Sequence, residues 1–153
     1  MIKSLPLQQV EGYLAGRGLG YAKPAELNGY PGPKHVLELA DSLALTPAQR
    51  EATQARFDAM QVEAQRQGRA FLAAEAALDS LFAYSAATAE SVRRLTEEAA
   101  AIEAQLRLSH LDAHMAMMDV LTPEQIADYS RLRGYTRGDM AGHHGGGGHH
   151  GHP

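Results

Sequence analysis

The sequence has no cysteine, which excludes disulfides, zinc ribbons and thiol catalysis at once. It has no tryptophan and only three phenylalanines. Valine and isoleucine are scarce, which argues against a β-sandwich or a large parallel sheet. Positive charge is not in excess: the net charge is −4 with histidine neutral. That balance argues against a nucleic-acid binder driven by phosphate contacts. No run approaches the roughly 18 apolar residues that a membrane span needs. After Met1, Lys3 is followed by Leu5, Pro6, Leu7, Gln8 and Gln9, which is not the apolar core of a secretion signal. The chain therefore reads either as cytosolic or as a mature form from which a leader has been removed.

Helix breakers are also missing from the middle. Residues 33–133 hold one glycine, Gly68, while the other 14 glycines lie in the flanking 52 residues. After Pro33 the middle contains only Pro47 and Pro123. A hundred residues rich in Ala, Leu, Glu, Gln and Arg, with almost no breaker, predict helix. The expected organisation is an N-terminal extension (1–32), a helical domain (33–135) and a Gly/His-rich tail (136–153).

Helix starts are written into the sequence twice. Leu45-Thr46-Pro47-Ala48-Gln49 places Thr at the N-cap, Pro at the first helical position and Gln at the third. The hydroxyl can accept from the backbone of Gln49, whose side chain can reach back to the cap. Leu121-Thr122-Pro123-Glu124-Gln125 repeats the pattern, with Leu121 and Ile126 set for a hydrophobic staple. Between them, Phe57, Met60, Ala64, Gln67, Phe71, Ala74, Leu78 and Leu81 alternate steps of three and four, a coiled-coil-like seam. A break at Tyr84-Ser85-Ala86-Ala87-Thr88 precedes a second seam of Val92, Leu95, Ala99, Ile102 and Leu106. The first helix, from Thr46 to about Phe82, should be ~55 Å long, and a short linker makes the two antiparallel.

Shorter helices flank this hairpin. Gly32-Pro33 starts one whose apolar face is Val36, Leu37, Leu39, Ala40 and Leu43. Another follows Thr122 and ends near Gly134. Ser4 to Ala15 reads as a marginal helix, Gly16 to Gly32 as a connector, and the tail from Gly138 as disordered by composition. The fold expected is all-α: a four-helix hooked hairpin of two long antiparallel helices with short flanking ones. Two long helices with one Ala-rich stripe bury little by themselves, so the short helices and a second copy of the chain should cover it. A homodimer is expected.

The chemistry-bearing residues concentrate in His110-Leu111-Asp112-Ala113-His114-Met115-Ala116-Met117-Met118. His110, His114 and Met118 lie within about 80° of one another on one helix face. Two imidazoles one turn apart can bind one metal ion, and a thioether adds a soft ligand suited to copper. The competing reading makes both histidines core residues bonded to buried polar groups. The metalloprotease pattern HExxH fails here, because Leu111 stands where the general base must be. A full coordination sphere needs a second helix, and His35 is the remaining histidine before the tail, with Glu38 and Glu51 as carboxylate candidates. The tail carries His143, His144, His149, His150 and His152 among glycines. Their doublets differ from the uninterrupted run of a purification tag and suit weak capture of Zn, Cu or Ni. No catalytic constellation stands out. Gly16-Arg17-Gly18-Leu19-Gly20 lacks the Lys-Ser/Thr of a phosphate loop. Arg131, Arg133 and Arg137, like Glu97, Glu98 and Glu103, read as solvated faces.

The two Leu-Thr-Pro-x-Gln segments bracketing a helical hairpin resemble the LTxxQ family of bacterial periplasmic proteins. That family includes Spy/CpxP-type stress chaperones and periplasmic heavy-metal sensor and resistance proteins. The resemblance covers about residues 28–135, including Asn28-Gly29-Tyr30-Pro31-Gly32-Pro33. It implies a hooked hairpin, a dimer with a curved surface, export to the periplasm with the leader removed, and no enzymatic activity. Within the family, His35 on one helix and His110, His114 and Met118 on another resemble the metal-binding branch, with Zn or Cu as the favoured ion and Ni or Co as alternatives. The chaperone branch is the alternative, with Met115, Met117 and Met118 as adaptable client-binding surface. The partners implied are metal ions and either an inner-membrane sensor or unfolded client proteins.

Overall fold

Strong helix formers between two Thr-Pro starts leave the backbone little alternative to helix. The computed structural model describes residues 1–135, and over these it is all-α with no strand. Six helices follow one another: α1 (Leu7–Ala15), α2 (Lys23–Glu26), α3 (Pro33–Glu38), α4 (Pro47–Ala83), α5 (Ala89–Met117) and α6 (Pro123–Leu132). The 37 residues of α4 and the 29 of α5 form the hairpin arms. Thr88, the last residue of the break, caps α5 and pairs with Ser91. The seams meet as their spacing predicts: Ala64, Gln67, Phe71 and Ala74 of α4 are buried, as are Leu95, Ala99 and Leu106 of α5.

Both Thr-Pro-x-Gln starts form full capping boxes. Thr46 Oγ1 accepts from the Gln49 amide at 3.1 Å, and Gln49 Oε1 accepts from the Thr46 amide at 3.0 Å. Thr122 and Gln125 repeat this at 3.2 and 2.9 Å. The two boxes then lock together. Gln49 Nε2 donates to Gln125 Oε1 at 2.8 Å, and Gln125 Nε2 donates to Gln49 Oε1 at 3.0 Å. The remaining amide hydrogens go to the Val120 carbonyl (3.0 Å) and the Leu43 carbonyl (3.1 Å). Around this knot Val36, Ala40, Leu43, Leu45, Met117, Leu121 and Tyr129 make one core, with Ile126 packed against it.

Two local differences from the sequence expectation have clear causes. Helical geometry in α3 stops at Glu38, although the apolar spacing runs on to Leu43. Residues 39–44 tighten into turns ending with Ala44 at φ +51°. The turn aims the Leu43 carbonyl at Gln125 and leads the chain into the Thr46 cap, while Ala40 and Leu43 stay buried. The Gly/Pro-rich connector holds α2, a single turn with Pro24 at its second position, too short to show periodicity.

The N-terminal segment is a layer of the fold. Tyr13 packs on Phe71 with ring centroids 5.0 Å apart, and Ile2, Leu5, Val10 and Tyr21 pack against the same mid-hairpin core. Gly68, the lone glycine of the middle, lets α1 approach: a Cβ there would lie 2.3 Å from the Tyr13 carbonyl oxygen. Part of the Ala-rich stripe is therefore covered from within the chain.

Gln125→Ala removes one acceptor from a helix cap and strands the Gln49 amide and the Leu43 carbonyl. It should destabilise the protein by about 2 kcal/mol. In denaturant melts, Gln49→Ala should cost a similar amount, and the double variant less than the two together, because they lose the same pair of bonds.

Candidate metal centre

The last turns of α5 run from the mid-hairpin core at Leu106 to the core around the Gln49–Gln125 knot at Met117. His110 and His114 fall between them on the inner face. His110 is 2% exposed, and its Nε2 has no hydrogen-bond partner, the one such buried side-chain atom among the described residues. The Tyr21 ring stacks over the His110 imidazole at 6.3 Å and 13°. Burial, and secondarily the charge of His114, lowers the His110 pKa, so the ring is held neutral.

His114 is oriented from the other side. Its Nδ1 lies 2.7 Å from the Tyr30 carbonyl oxygen. A carbonyl only accepts, so Nδ1 carries the hydrogen and, in the neutral ring, Nε2 keeps the lone pair. Glu26 Oε2 lies 3.5 Å from the same Nδ1. The ring rests on Gly32, where a Cβ would come within 2.7 Å of both Cε1 and Nε2. A side chain at position 32 would displace the ring.

His35 sits in the first turn of α3, partly exposed, with Nδ1 2.9 Å from Glu38 Oε2. The hydrogen bond from His35 holds the Glu38 carboxyl below its ordinary range, so the carboxylate accepts and Nδ1 donates. In the neutral ring, His35 Nε2 then keeps its lone pair.

His35, His110 and His114 line a single cavity of about 450 Å³, together with Met60 of α4 and the connector residues Arg17, Gly18 and Ala22. The cavity wall carries no carboxylate. Among the described residues, no three His, Cys, Asp or Glu side chains already form a metal-holding group. The rings share a chamber without converging on a point.

Met118 lies at the C-cap of α5, half-buried and outside the cavity lining. The thioether at the cavity belongs instead to Met60, which the seam of α4 carries to the level of the histidines. Glu51 is exposed on the first turns of α4 and away from the cavity. The tail histidines His143, His144, His149, His150 and His152 lie outside the described residues. Sequence spacing alone did not reveal Glu26, Tyr30, Tyr21 or Gly32 as neighbours of the site. Their segment shows no strong period, and only its Gly/Pro content marks it.

Comparison with known proteins yields one match. The sequence model of the LTXXQ motif family protein matches residues 33–133. No curated protein and no solved structure matches.

The depressed His110 pKa fixes a sign for the metal-free protein. The unfolded chain takes up a proton on this ring at a higher pH than the folded chain does. The stability held above the ordinary histidine pKa is therefore lost as pH falls through it towards the lower folded value. Denaturant melts between pH 7.5 and 5 should show that decline, and His110→Phe should flatten it. An unchanged slope in the variant would remove His110 as its source.

Proposed function

The chain belongs to the LTXXQ motif family, and from that premise we propose that it is a non-enzymatic periplasmic protein that binds a late transition metal and serves in sensing, buffering or resistance. Membership of that family supports the periplasmic setting. No helix among the described residues is long and apolar enough to cross a membrane. The observation that carries the metal reading is the unpartnered Nε2 of buried His110. A buried polar atom without a partner is costly, and native folds keep one where it serves a purpose. Two further imidazoles line the same cavity, and their Nδ1 contacts leave Nε2 as the lone-pair atom of each neutral ring.

The donor chemistry fits. Metal ligation needs deprotonated imidazole nitrogens; burial favours one at His110, and the Nδ1 hydrogen bonds direct the lone pair of each other neutral ring to Nε2. His110 and His114 are the central ligands, and His35, partly exposed on its helical turn, has the freedom to join them. Met60 takes the thioether role that the sequence assigned to Met118, and this His/Met set suits Zn, Cu, Ni or Co. The tail histidines act as a capture arm that raises the local metal concentration.

A second reading, an ATP-independent holdase of the Spy/CpxP type, draws on Val62, Phe82, Tyr84 and Met115, all exposed on the hairpin. Such side chains could meet an unfolded client or a second copy of the chain.

Calorimetry separates these readings. The full chain with all five tail histidines changed to Gln should still bind one zinc or copper ion per chain. Adding His110→Ala should weaken that binding at least about tenfold. Loss of all binding with the tail changes alone would remove the core site. The holdase reading predicts suppression of client aggregation without metal, unaffected by His110→Ala.

A further inference from the structure

Residues 1–32 precede the stretch that the family match covers, yet they touch both central histidines. Tyr21 stacks on His110, the Tyr30 carbonyl takes the His114 Nδ1 hydrogen, and Glu26 stands 3.5 Å behind that nitrogen. Glu26 is the anchor of this group. Its side chain is only 12% exposed. Oε2 accepts from the Gly32 amide at 3.2 Å, Oε1 accepts from the Tyr129 hydroxyl at 2.5 Å, and Arg133 Nε lies 3.8 Å from Oε1. Tyr129 belongs to α6 and is almost fully buried. One carboxylate therefore ties α2, the Tyr30–Gly32 segment, α5 and α6 together.

Resting on the metal-binding reading above, we propose that Glu26 is a positioning residue for the histidine site. By pinning the Tyr30–Gly32 segment against α5 and α6, it fixes the His114 ring with Nε2 as the donor, so coordination requires the N-terminal segment to be docked. Two features make this more than a packing contact. The Tyr30 carbonyl and the Glu26 carboxylate both address Nδ1 and neither addresses Nε2, so they select one tautomer. Gly32 lies against the Cε1–Nε2 side of the ring, where a Cβ would come within 2.7 Å, so the ring stays seated only while the Tyr30–Gly32 segment stays in place. A carboxylate or carbonyl behind a ligating imidazole is the usual means of raising its basicity and fixing its direction. Coupling runs both ways: a bound ion should hold the N-terminal segment down as firmly as the segment holds the site.

The test uses the full chain with the five tail histidines changed to Gln, carrying Glu26, Glu26→Gln or Tyr129→Phe. Two measurements are made: zinc titration by calorimetry, and long-range ¹H–¹⁵N imidazole spectra of the metal-free protein. Glu26→Gln should weaken zinc binding by about 10- to 100-fold. It should also move His114 from the pure Nδ1–H form to a tautomer mixture, leaving His35 unchanged. Tyr129→Phe, which keeps the fold if Glu26→Gln does not, should shift both readouts in the same direction by less. Weaker binding with an unchanged His114 tautomer would make Glu26 merely structural and overturn the proposal, as would no change in either readout. If the parent protein takes up no zinc in its core, the metal reading falls. The metal-free spectra then still decide whether Glu26 sets the ring.

Discussion

Two side-chain amides, those of Gln49 and Gln125, close the structure at the end that carries His35, His110 and His114. Each carboxamide has two donors and two acceptor sites, and here every one is used. Each oxygen accepts from the cap amide of its own helix and from the partner glutamine, and each nitrogen donates to the partner and to a turn carbonyl. Glutamate could complete either capping box but has no hydrogen to give the other helix. The pattern Thr-Pro-x-Gln is therefore a joint between helices as well as a start signal. It brings the beginnings of α4 and α6 together and fixes the turn after α3. The rest of the closed end follows from that, including the placement of α3 with His35 against the end of α5.

A second constraint follows from the first. With the helix ends locked, α5 carries His110 into a place where no protein group satisfies its Nε2. The fold accepts that cost beside a cavity bounded by two other imidazoles and a thioether. The wall that completes the cavity comes from the N-terminal segment, through Arg17, Gly18, Ala22 and Gly32. Gly68 makes this possible by letting the α1 backbone lie directly on α4. A residue chosen for its lack of a side chain, near the middle of a long helix, thus bears on a site several turns away.

Much of this was legible in the sequence, for physical reasons that differ between elements. The long helices announce themselves through period and caps, since Thr46, Thr88 and Thr122 each satisfy amides that nothing else can reach. The pairing of His110 with His114 follows from one helical turn. What could not be read was everything set by tertiary packing. The end of α3 at Glu38 depends on a carbonyl meeting Gln125, a contact 82 residues distant. Met60 displaces Met118 at the cavity because α4 and α5 set the level of the site together, whereas the i+4 rule considers α5 alone. Glu26 and Tyr30 belong to a segment with no period, so only coordinates could place them behind His114.

The central claim is that the imidazoles of the closed end hold a metal ion. The most direct measurement is anomalous X-ray diffraction at the zinc edge, on crystals of the full chain with its tail histidines changed to Gln and grown with zinc. A peak inside the cavity, bonded to Nε2 of both His110 and His114, is the result expected. Zinc found only at surface carboxylates, with the cavity free of anomalous signal and the His110 Nε2 still unpartnered, would contradict the account.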